Sequence, residues 1–325
     1  PRGARSGRRP AQRSVKLQSL SREEVPRCLQ PEFYFDLQAH PFAHGELLAS
    51  AHDVVEVLGR IHSYAVNWLE ETWTKSPSPP GVCRLPTGVR IVGEAPPVVV
   101  EGGVEEAAFS PDAVIGRGAS AGSARGGLHL ERGAQVLGGT FDLRNGAVWL
   151  GAGAIVEPGV YIAGPAIIGA GTTVRFGAYI RGDVIIGDGV VLRGELKNAV
   201  VMDRAELAHP GYTGDSIVGY AGHFGCQALT ANLGLFKGEL CAEVPGRAAE
   251  GLRLELGRRK VGVILGDHSQ LGCGTVTDPG TFLGPQTHTY PLTRLASGFY
   301  GPGEIVKNKP EESGALIREA LRPPR

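Results

Sequence analysis

The sequence predicts a mainly β protein: a left-handed parallel β-helix of hexapeptide repeats with a small N-terminal helical domain. Three observations carry this expectation. Eight aliphatic residues, Leu150, Val156, Ile162, Ile168, Val174, Ile180, Ile186 and Leu192, stand six apart without a slip. The residue four after each of them (Ala154, Val160, Ala166, Thr172, Ala178, Val184, Val190, Leu196) is small, β-branched or aliphatic. Glycine, at 49 of 325 residues, is about twice its usual share of roughly 7%, as tight turns between short strands require. A fixed short period marks a solenoid. Three hexads make one triangular coil, whose inward aliphatic residues stack and whose apolar faces are covered by the neighbouring coils. An amphipathic helix would need spacings of three and four, and an alternating strand would not single out every sixth residue.

The elements follow in order. Residues 1–22 hold Arg2, Arg5, Arg8, Arg9, Arg13, Lys16 and Arg22, several serines and no acidic residue. They read as a disordered, solvated basic tail, although a removable organellar transit peptide has the same composition. Residues 23–82 are expected to form the helical domain. Within it Leu47, Ala51, Val54, Leu58, Ile61, Ala65 and Trp68 mark one amphipathic helix that stops before the Ser-Pro-Ser-Pro-Pro run at 76–80. His52 and His62 fall on this helix and receive no chemical role.

Residues 83–309 form the solenoid, with irregular capping coils from about Val89 to Asp142 and regular ones from Gly146. The period breaks between Lys197 and Asp215, returns at Val218 and Phe224, and fails again over 233–261. Both stretches are expected to loop out, and loops on a rigid scaffold are favoured places for binding. Alternation of Leu252, Leu254 and Leu256 predicts a strand or hairpin before the Arg258, Arg259, Lys260 cluster. Coils resume at Leu265, Leu271, Thr277, Leu283 and Thr289, and residues 310–325 read as a short helix or frayed tail.

Composition narrows the function. The 33 basic and 33 acidic residues cancel, so no global charge draws the chain to nucleic acid or to a membrane surface, and small-molecule chemistry is favoured. No apolar run approaches the roughly 20 residues of a membrane span. The five cysteines (Cys28, Cys83, Cys226, Cys241, Cys273) are odd in number and irregularly spaced, which fits a reducing, cytoplasmic compartment.

The densest polar runs within the solenoid are Glu195-Leu-Lys197-Asn198, His209-Pro-Gly-Tyr212-Thr-Gly214-Asp215-Ser and Leu229-Thr-Ala-Asn232-Leu. They resemble the acetyltransferase domain of the bifunctional glucosamine-1-phosphate acetyltransferase/N-acetylglucosamine-1-phosphate uridyltransferase. The likeness is greater to stand-alone and archaeal sugar-phosphate acyltransferases, whose signature reads E-x-K-N, H-x-x-Y-x-G-D-S and T-x-N-L. It continues through Gly257-Arg-Arg-Lys260 to Asp267 and through Asp278-Pro-Gly280 to Gly284, covering roughly residues 140–310.

The resemblance implies N-acetylation of an amino-sugar phosphate or nucleotide-sugar from acetyl-CoA, without a metal, in a homotrimer whose sites lie between neighbouring solenoids. His209 matches the catalytic base, a role that suits an imidazole titrating near neutrality. Glu195 matches the carboxylate that orients it. Arg181, Lys197 and Tyr212 fall where relatives hold the sugar phosphate, and Asn232 and His223 where they touch the sugar. Cys226, Ala228 and Cys273 fall beside the acyl donor, with backbone N–H groups near Cys226 or Ala228 expected at the thioester oxygen. Asp215 reads as a structural turn residue.

The chain departs from the family at N-[IL]-G-A-G-T, which stands here as His223-Phe-Gly225-Cys226-Gln227-Ala228, with glutamine where a glycine lets the donor approach the backbone. Two alternatives therefore stay open: a sugar-phosphate or nucleotide-sugar binding scaffold with a degraded donor site, and a longer-chain acyltransferase of the lipid A type. The glycine-rich nucleotide loop of the bifunctional enzymes does not occur in residues 1–140, so uridylyl transfer is not expected. A zinc-dependent carbonic anhydrase on this scaffold would need three gathered histidines, two on one coil, and no H-x₄-H pair exists. Cys226 and Cys273 hold equivalent hexad positions and are expected to stack once the 233–261 insertion is excised.

Overall fold

The computed structural model describes residues 13–75, 90–93, 98–100, 113–117, 127–245, 252–308 and 316–320. Residues 1–12 of the basic tail, the Ser-Pro-Ser-Pro-Pro run, parts of the capping coils and most of 310–325 lie outside them. Short parallel strands stack into a solenoid, and all eight hexad residues from Leu150 to Leu192 are fully buried in one continuous core. Each such side chain contributes about 1.5–3 kcal/mol on burial. Among the described residues no helix is long and apolar enough to cross a membrane.

The first interruption does not loop out. Coils of 18 residues (Tyr161 opposite Tyr179) give way to one of 15 (Val184 opposite Ala199) and then to coils of 17 (Glu195 opposite Tyr212). Dropping residues at the corners erases the six-residue period while strand pairing continues. Asn198 and Asp215, both at φ 48°, make the tightened corner, a left-handed conformation that Asn and Asp adopt more readily than other side chains. Strands Glu195–Val201 and Tyr212–Val218 consequently run through the corner without a break.

The second interruption is a true insertion: Ile217 pairs with Ile264, 47 residues on. It folds as a hairpin, Cys241–Glu243 antiparallel to Leu252–Glu255, and the free edge of the hairpin receives strand Arg13–Lys16 in parallel. Arg13–Lys16, expected to belong to a disordered tail, is therefore a paired strand. The unpaired hairpin edge offers a row of backbone partners, and Leu17 just beyond the strand is completely buried. At the far end Leu316–Ala320 is neither helix nor frayed tail. It pairs antiparallel with Glu304–Asn308 and closes the solenoid's last edge, with Arg318 Nε 2.7 Å from Glu304.

The single amphipathic helix is in fact two, α1 (Gly45–Ala49) and α2 (Val54–Lys75). Asp53 causes the restart. Its carboxylate accepts the N–H groups of Val55 and Glu56, both at 2.9 Å, while Glu56 reaches back to the N–H of His52, a reciprocal cap. His52 thus precedes α2 rather than lying within a helix.

This helical segment is a layer on the solenoid and shares a core with it. One column of outward positions, paired strand to strand, reads His129, Trp149, Ile167, Ile185, Val200, Ile217, Ile264, Phe282 and Phe299. Outward residues of a solvated solenoid face should be polar; these are nearly all apolar because the helices cover them. His44, buried in the seam, sets its ring edge-on against Trp68, which in turn meets Trp149 at 5.4 Å. Asn198 donates to the Leu58 carbonyl of α2 at 3.1 Å, and Asp183 pairs with His62 at 2.6 Å.

Candidate active site

Among the described residues the adjacent face carries no such layer. Its outward column reads Tyr161, Tyr179, Glu195, Tyr212, Leu229, Val276 and Arg294 in register. Tyr179 and Leu229 are exposed. Two corners bound this open face. One holds Lys197-Asn198, Gly214-Asp215 and Ala231-Asn232; the other holds His209-Pro210 and, one coil on, Cys226-Gln227, whose Gln227 N–H donates to the Pro210 carbonyl.

The first corner is built around Asp215, only 4% exposed. Its Oδ1 accepts from Asn198 Nδ2 at 2.9 Å and lies 3.8 Å from Arg258 Nη2; its Oδ2 accepts from Asn232 Nδ2 at 2.6 Å. The same Asn232 nitrogen donates to Tyr212 Oη at 3.0 Å. Burial, then the charges of Asp215 and Glu195, push the Tyr212 phenol up, so it remains a neutral hydroxyl. Space for this arrangement comes from Gly214: a Cβ there would sit 2.2 Å from Tyr212 Oη and 2.9 Å from Asn232 Nδ2. Arg258 packs its guanidinium over Gly59 of α2, where a Cβ would approach Nη1 to 2.8 Å. Asp215 is the structural residue its motif suggests, but its carboxylate ties together side chains rather than turn N–H groups.

The remaining candidates divide. Arg181 Nη1 donates to Glu195 Oε1 at 2.7 Å, so the carboxylate expected behind His209 is engaged by arginine instead. His209 is exposed in the bend between Glu206–Leu207 and Tyr212–Val218, and no hydrogen bond or ion pair joins it to Glu195. Lys197 is half-buried and pairs across the strands with Gly214. His223 lies on the third face, 3.3 Å from Glu206, away from Tyr212 and Asn232.

Cys226 and Cys273 do stack at one corner: the N–H of Gly274 donates to the Cys226 carbonyl at 2.8 Å. Gln227, at φ 59°, takes the left-handed corner conformation that Gly274 and Leu292 take on the following coils. Ala228 does not fit the donor role. Its side chain is fully buried inside the solenoid and its N–H is spent on the Gly225 carbonyl at 3.1 Å. Asn198 was missed as a member of the site, and Arg258, noted in the cationic cluster after the predicted strand, faces Asp215. Asn198 could have been found, because it stands 17 residues before Asp215, one coil away.

Comparisons with known proteins bear on the fold and its repeats. Residues 147–182 match the bacterial transferase hexapeptide (six repeats) model. A bifunctional sugar-1-phosphate nucleotidylyltransferase/acetyltransferase of Sulfurisphaera tokodaii is 32% identical over 113 residues, 35% of this chain and 27% of that protein. The bifunctional protein GlmU of Methanocaldococcus jannaschii is 33% identical over 90 residues, 28% of this chain and 21% of its own length. A putative uncharacterized acetyltransferase, YaiX, of Escherichia coli K12 is 31% identical over 129 residues, 39% of this chain and 49% of that protein. The matched part thus spans about a quarter of the first relative's length. The fold and the repeats define a left-handed β-helix of the hexapeptide type. In particular, the solenoid resembles the sugar-phosphate acetyltransferases among such proteins.

Proposed function

We propose that this chain transfers an acetyl group from acetyl-CoA to the amine of an amino-sugar phosphate or nucleotide-linked amino sugar. The observation that carries the reading is the Tyr212–Asn232–Asp215 network, set in the one motif-bearing face that the helices leave open. In this reading the sugar lies over Tyr212 with its phosphate toward Arg181 and Lys197, and its amine points to the His209 corner. The amine nitrogen attacks the thioester carbonyl, His209 takes the amine proton, and the C–S bond breaks as the thiolate of coenzyme A leaves and is protonated. The N–H of Cys226, which has no partner among the described residues, supplies the dipole for the carbonyl oxygen. Glu195 acts through Arg181, holding the guanidinium toward the substrate. The exposed Phe176, Tyr179, Leu229 and Leu233 suit burial between solenoids, which supports assembly as a homotrimer.

A second reading, binding without transfer, is favoured by one observation: among the described residues no hydrogen bond or ion pair joins His209 to a carboxylate, and Glu195 is held by Arg181. Thiol release from acetyl-CoA with glucosamine-1-phosphate and a panel of nucleotide-linked amino sugars decides between them. Turnover with any of these supports the transferase. Calorimetric binding of the sugar phosphate with no thiol released would leave the binding scaffold.

A further inference from the structure

The neck of the 233–261 insertion borders an open cavity of about 430 Å³ lined by Asp215, Leu233, Gly257, Arg258, Arg259 and Lys260. The neck is tied on both sides. Leu233 and Lys260 form an antiparallel bridge, the N–H of Val261 donates to the Asn232 carbonyl at 3.0 Å, and the N–H of Leu240 donates to the Arg258 carbonyl at 2.8 Å. The cavity is therefore built into the fold rather than assembled by a loose loop. Its charge is also settled. Asp215 has both oxygens engaged by amide donors and its charge offset by Arg258, which leaves Arg259 and Lys260, both exposed, as two cations without an acidic partner among the described residues.

The position of this cavity matters as much as its charge. Asp215 forms its wall, and Asn232 bridges Asp215 to Tyr212 with contacts of 2.6 and 3.0 Å. The cavity wall therefore begins at the Tyr212 site itself. One ligand lying over Tyr212 can reach the neck with its far end. A sugar monophosphate has one anionic group, which the proposed reading gives to Arg181, held by Glu195, and to Lys197. A second, separate pair of cations calls for a second phosphate. We infer that the insertion neck is an anion subsite for the diphosphate of a nucleotide-linked sugar, so that the substrate class is the sugar nucleotide rather than the sugar monophosphate. This inference rests on the acyltransferase reading for the identity of the sugar, but not for the existence of the subsite.

Calorimetry on the full chain tests it, using inorganic pyrophosphate, glucosamine-1-phosphate and UDP-glucosamine against the native protein and an Arg259→Ser/Lys260→Ser double variant. Neither side chain is in a hydrogen bond or ion pair among the described residues, and an unchanged unfolding midpoint checks that the fold is kept. Pyrophosphate is expected to bind natively and to weaken at least tenfold in the variant. UDP-glucosamine is expected to bind about tenfold more tightly than glucosamine-1-phosphate, with that advantage lost in the variant. Equal pyrophosphate affinity in the two proteins, or equal native affinity for the two sugars, overturns the subsite. Pyrophosphate binding that depends on Arg259 and Lys260, with no thiol release from any amino sugar, upholds the subsite and overturns the transferase reading alone.

Discussion

His44 sits in the seam that fastens the helical layer to the solenoid, and its burial makes the seam sensitive to acid. The imidazole is 4% exposed, with its Nδ1 3.2 Å from Tyr64 Oη and its ring packed on Phe42 and Trp68. Burial lowers its pKa from 6.5 to about 4, so the folded protein keeps it neutral where the unfolded chain would protonate it. A depressed folded-state value means that the stabilisation is complete above pH 6.5 and is lost as pH falls toward 4. Linkage puts the loss between pH 7.5 and pH 5 at about 2 kcal/mol, with a limit of roughly 3 kcal/mol below pH 4. Urea unfolding followed by tryptophan fluorescence should show it as a falling midpoint. His44→Gln should be less stable at pH 7.5 but should lose about 2 kcal/mol less over the same range. His52 works in the opposite sense, because Asp53 raises its pKa, but it is present in both proteins and cancels in the comparison. Parallel pH profiles for native protein and variant would refute the assignment.

Three further outcomes are expected. Gly214→Ala should fold normally, because the added Cβ meets only the ends of Tyr212 and Asn232, yet should weaken sugar-phosphate binding at least tenfold in calorimetry. Asp215→Ala should cost about 3 kcal/mol in denaturant unfolding, since it leaves Arg258 uncompensated and takes one acceptor from each of two amides. Trp149→Ala should cost about 3–5 kcal/mol in the same assay by opening the seam between α2 and the solenoid.

The stacked coils were legible because every sixth residue from Leu150 to Leu192 has to point inward, and only that spacing fills a triangular core. The covered face was not read. Its signal lies in outward residues such as Trp149, Ile167 and Ile185, whose spacing of 18 shows only when whole coils are compared. Shortened coils explain the misread interruption at 197–215: a period lost by deletion at a corner looks, in one dimension, like a loop. The break between α1 and α2 was hidden because Asp53 caps the second helix without disturbing the apolar spacing on either side of it. Within the site, the three motif runs fall on neighbouring coils, since strands in register place residues 17 apart side by side. The pairing of Glu195 with Arg181 was not legible, because a carboxylate between a histidine and an arginine can turn to either. Ala228 was misplaced because a small residue beside a corner glycine can face inward or outward, and here the core claims it.

Acetyl transfer by the native chain and by His209→Ala, with sugar-phosphate affinity measured alongside, tests the central reading most directly. The account predicts that the variant loses roughly 10²- to 10⁴-fold in kcat while binding the sugar phosphate as tightly as the native chain. A variant that turns over at the native rate would contradict it and remove His209 from the chemistry.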